Sequence, residues 1–115
     1  MKMVDNLLLD GKKKEARALW KKMRESFPDE FQTLLAEGLL LTSEEDYQAA
    51  IQTINHSSNI EPEAFRPFLE KSRVWLASGK KENAIAILKV AEGKVKTLKD
   101  LKQVKNIKQI METTH

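Results

Sequence analysis

The chain predicts an all-α fold, an array of antiparallel helix pairs followed by a C-terminal capping helix. Three observations predict it. Apolar residues recur at spacings of three and four, without strand-like alternation, along 115 residues. Positions 34 apart share their character: Ala16, Ala50 and Ala84; Trp20, Ile54 and Leu88; Pro28 and Pro62. The breaks fall in the same phase, because Gly11 and Gly79 are twice 34 apart and Glu45, in the polar turn Thr42-Ser43-Glu44-Glu45-Asp46, lies midway between them. A chain of this length, 41% hydrophobic and 6% aromatic, suits one domain spanning residues 1–115.

The elements follow in order. A short helix from Lys2 to Asp10 ends at Gly11, which supplies a left-handed turn. A second, Lys13 to Ser26, stops before Pro28, where a helix cannot continue. The next pair is Glu30 to Thr42 and Asp46 to His56, ended by the stretch around Pro62. A third pair, Glu63 to Ser78 and Lys81 to Glu92, turns at Gly79. Thr97 and Asp100 then form a capping-box signal for a last helix running from near Leu98 to Glu112. Such short connections make neighbouring helices antiparallel.

A 34-residue helix pair with alanine where its helices touch, a large apolar residue four later and proline eight after that resembles the tetratricopeptide repeat. On that resemblance, repeat one covers residues 2–29 with a shortened first helix, repeat two 30–63, repeat three 64–95, and the capping helix 97–112. The resemblance implies a right-handed superhelical array. It places Gly38 and Ser72 where helices approach closely, while Glu37 and Lys71 stand where the family usually has leucine. Size, repeat number and apolar character also resemble the small type III secretion chaperones of this family.

The family binds partners along the face made by the first helix of each pair. Carried over by position, that face is Leu8 from repeat one, Gln32, Leu35 and Leu39 from repeat two, and Arg66, Leu69, Arg73 and Leu76 from repeat three. An apolar strip bordered by two arginines suits another protein's amphipathic helix or extended peptide, with the arginines pairing its carboxylates. The implied function is a non-catalytic adaptor or chaperone. The family's carboxylate-clamp subtype is not implied, because Asp5, Ala36 and Glu70 replace residues it needs.

Enzyme chemistry finds no foothold in the sequence. There is no cysteine, so thiolate nucleophiles, thiolate metal sites and disulfides are excluded. The histidines, His56 and His115, have no metal-ligand spacing, and the four glycines form no phosphate loop. No catalytic residue, metal, cofactor or small-molecule substrate is expected. Trp20 and Trp75 read as core anchors. No apolar run approaches the roughly 20 residues of a membrane span, and the start lacks a signal-peptide pattern, so the expected location is the cytoplasm.

The net charge of +3 reads as the property of the tail, where residues 89–115 carry seven lysines against three acids. In the last helix Leu101, Val104, Ile107, Ile110 and Met111 mark the side to be buried, and Lys99, Lys102, Lys105 and Lys108 the side kept wet. The alternative function is binding of nucleic acid or an anionic membrane by this basic helix. It is disfavoured against nucleic acid because the helix has neither arginine nor aromatic residues. At the other end, Leu7, Leu8 and Leu9 lie near an edge that a longer array, a partner or self-association would cover.

Overall fold

The computed structural model describes residues 4–113, which form seven α-helices and no strand. They are α1 (Val4–Leu9), α2 (Lys13–Ser26), α3 (Phe31–Ser43), α4 (Tyr47–Ile60), α5 (Arg66–Ala77), α6 (Lys81–Glu92) and α7 (Leu98–Thr113). The chain divides into two units, Met1–Glu61 and Pro62–His115. No described helix is long and apolar enough to cross a membrane. The expected helix start at Lys2, and His115, lie outside the described residues.

The turns at Gly11, Glu45 and Gly79 are built alike. Each of these residues is left-handed, with φ of 76°, 64° and 83°. In each, the N–H of that residue donates three residues back, to Leu8, Thr42 and Leu76, and the next N–H donates five back, to Leu7, Leu41 and Trp75. This bond pair is the Schellman ending, which satisfies the last carbonyls of a helix while reversing the chain. The 34-residue period is thus a repeat of local backbone geometry. The other breaks match too: Phe27 and Glu61 close α2 and α4 by donating to Met23 and Ser57, again 34 apart.

In the N-terminal unit, α1 packs on α2, both meet α3, and α3 pairs extensively with α4. Val4, Leu7, Ala16, Trp20, Ala36 and Leu40 form its buried cluster. Gly38 lets α3 and α4 close, since a Cβ there would stand 2.5 Å from Ile54 Cγ1. In the C-terminal unit α5 pairs with α6, and α7 lies against both. Ser72, at the position corresponding to Gly38, is buried and donates to the Ala84 carbonyl at 3.1 Å, so a small residue again marks the close approach. Phe65, Leu69, Ala84, Leu88, Ala91, Val104, Ile107 and Met111 form this unit's core.

Some expectations need correction. Helix α5 starts at Arg66 rather than Glu63, because Pro67 fits only the first turn of a helix. Helix α4 runs on to Ile60, with Ser57 and Ser58 hydroxyls donating back to the carbonyls of Ile54 and Asn55. Of the leucines assigned to the open first edge, Leu7 is in the core and Leu9 is 85% exposed. Trp75 is only partly buried, at the edge of its cluster.

Candidate functional site

The positions expected to line a binding face do not form an open apolar strip in either unit. In the N-terminal unit, Leu8 packs against the α1–α2–α3 cluster, Leu35 is 2% exposed, Leu39 is half-buried and Gln32 is exposed. In the C-terminal unit, Leu69 is completely buried and Leu76 packs against the same core. Leu35 and Leu69 therefore offer no lining; they are structural side chains. The reason is the wide apolar surface of α3 and α5, of which the most inward residues are spent on intramolecular packing.

Arg66 and Arg73, expected to meet a partner's carboxylates, are instead organised by one of the protein's own. Glu70 is 3% exposed and accepts from Arg66 Nε at 3.1 Å and from Arg73 Nη1 at 2.5 Å, both on Oε1. The three residues sit three and four apart on α5, so one helix face holds the whole group. A buried carboxylate is tolerated only when paired in this way. Sequence reading missed this role of Glu70, although its spacing from two arginines carried the signal.

A concavity lies in the C-terminal unit between α6 and α7. It is an open cleft of about 370 Å³ lined by Ile85, Leu88 and Met111, with Lys81, Lys89, Glu92, Lys108 and Glu112 around them. Lys108 Nζ reaches Glu92 at 2.7 Å and so ties the two helices together. Leu88 and Met111 are buried and form the floor, whereas Ile85 is exposed. None of the eight expected groove residues lines it. Its signal in the sequence was Ile85, an isoleucine one residue off the Ala84–Leu88–Ala91 stripe that α6 turns inward.

Helix α7 differs from expectation in its width. Val104, Ile107 and Met111 are buried, but Leu101, Ile110 and the first residue, Leu98, are exposed. Its start is as expected: the Asp100 N–H donates to Thr97 Oγ1 and the Lys96 N–H to Asp100 Oδ2, each at 3.1 Å. Basic charge is not confined to this helix. Helix α2 carries six lysines and arginines against Glu15 and Glu25, balanced in the total by acids elsewhere. Part of that charge is used locally: Arg17 pairs with Glu44, Lys13 Nζ donates to the Ser43 carbonyl at 3.0 Å, and Arg17 and Arg24 lie over the Trp20 ring at 5.9 and 5.5 Å.

Among the described residues no group of three or more His, Cys, Asp or Glu is placed to hold a metal ion. No family model matches the chain, and no curated protein matches it.

Proposed function

We propose that this chain is a non-catalytic binding module of tetratricopeptide-like construction, a cytoplasmic adaptor or chaperone that holds an apolar or amphipathic segment of another protein. The observation that carries the reading is the α6–α7 cleft, an apolar floor with a charged rim between two packed helices. Small clefts with apolar floors and a few placed charges suit side chains projecting from a helix or extended peptide. Met111 adds an adaptable thioether surface to the floor. The recurrence of the same turn every 34 residues supports the same reading, because repeated helix hairpins are a construction that commonly serves binding.

The test is capture of partners from the source cell by tagged wild type and two variants checked for helix content. Ile85→Glu places a charge in the cleft and is expected to lower capture of the partner at least about tenfold, about 1.4 kcal/mol. Leu39→Glu, on the face first expected to bind, is expected to leave capture within about twofold. Undiminished capture by Ile85→Glu would remove the cleft as the binding site.

A further inference from the structure

Helix α7 has two faces with opposite employment. Val104, Ile107 and Met111 pack inward on α5 and α6. Opposite them, Leu98, Lys102, Lys105 and Gln109 follow the i, i+4, i+7, i+11 spacing of a straight outward stripe, within an arc of about 60°. Lys99 flanks it. All five are exposed, and Leu98 is 79% exposed. Neither acid near this row neutralises it: Asp100 is half-buried and holds the Lys96 N–H, and Glu112 lies at the far end of the helix. Among the described residues Lys99, Lys102 and Lys105 have no ion-pair partner, in contrast to Lys108, which is tied to Glu92.

We infer that this stripe docks on an anionic lipid surface, with Lys99, Lys102 and Lys105 against the headgroups and Leu98 entering the boundary between headgroups and acyl chains. Charge complementarity selects a polyanion. Leu98 selects the bilayer among polyanions, because a leucine standing out among lysines has nothing to do on a phosphate backbone but gains by burial at a lipid interface. The helix also lacks the arginine and aromatic side chains that read or stack bases. This role goes beyond the protein-binding reading and uses a different face of the same helix from the cleft.

The test is cosedimentation of the full chain with vesicles of phosphatidylcholine alone and of phosphatidylcholine with about a third phosphatidylserine. Wild type is expected to sediment only with the second, and to be released as salt rises from about 50 to about 300 mM. Replacing Lys99, Lys102 and Lys105 together by Gln should lower partitioning about 100-fold, roughly fivefold for each lysine. Leu98→Ser should lower it by roughly threefold to tenfold at unchanged charge.

Because the chain has no cysteine, Leu98→Cys labelled with a polarity-sensitive dye reports insertion directly, with Asn83→Cys on α6 as the control. A blue shift on the serine-lipid vesicles at position 98 but not at 83 supports the inference. Absence of sedimentation at low salt overturns it. Charge-dependent binding that Leu98→Ser leaves unchanged, and that single-stranded RNA competes away, also overturns it, in favour of a nucleic-acid surface.

Discussion

Trp20 is 7% exposed among Val4, Leu7, Ala16, Ala36 and Leu40, whereas Trp75 lies at the edge of its cluster. Truncation of Trp20 to alanine should therefore cost about 3–5 kcal/mol and of Trp75 about 1–3 kcal/mol, measured by urea unfolding. Gly38 offers a sharper case. Gly38→Ala gains about 1 kcal/mol of helix propensity. Its new Cβ would nevertheless stand 2.5 Å from Ile54 Cγ1 on a fully buried side chain. The clash should win, for a net loss of about 1–2 kcal/mol, and Ile54→Ala in the same chain should make the glycine substitution harmless.

Lys71 carries a linked pH effect. It is half-buried, with its ammonium 5.4 Å from the Phe68 ring centre, and burial holds its pKa below the ordinary 10.5. In the window between the lowered value and 10.5 the unfolded chain binds more protons than the folded one, so stability rises with pH there. Lys71→Met, which removes this partly buried charge, should thus raise the urea midpoint at neutral pH. That advantage should shrink as pH rises toward 10.5, which urea midpoints at pH values across the window would show.

At the scale of elements, the three Schellman turns are the clearest link between sequence and structure. Glycine at two of them and the polar run around Glu45 at the third marked the phase, and the backbone takes the left-handed conformation at all three. Glutamate holds that conformation at a cost of about 1–2 kcal/mol, which glycine avoids, partly offset by glycine's greater unfolded-state freedom. Glu45→Gly should accordingly raise stability by about 0.5–1 kcal/mol in thermal or urea unfolding. Helix existence and type were legible because local signals agreed: period, turn residues and the Thr97–Asp100 cap. Helix α5 starts later than its apolar spacing predicts because Pro67 must lie in the first turn, and α4 continues past His56 because its serines bond back to their own helix rather than ending it.

At the scale of the molecule, the candidate binding surface is much less legible in the sequence than the helices. Period and spacing show which residues share a helix face, but not which of them the neighbouring helices consume. Leu35 and Leu69 share a face with Leu39 and Leu76 and are nevertheless buried, and Arg66 and Arg73 are occupied by Glu70. The α6–α7 cleft joins residues on two helices whose packing no local pattern announces. Summed charge misled in a related way, because the basic surplus of α2 vanishes when averaged with acids elsewhere.

The α6–α7 cleft is proposed to hold another protein's apolar side chains. The most direct measurement is photocrosslinking in the source cell, with a benzophenone amino acid in place of Ile85 and, as control, in place of Asn83, which is exposed on the same helix away from the cleft. A discrete protein adduct from position 85 that is absent from position 83 is expected. No adduct at 85, or the same adducts from both positions, would contradict it.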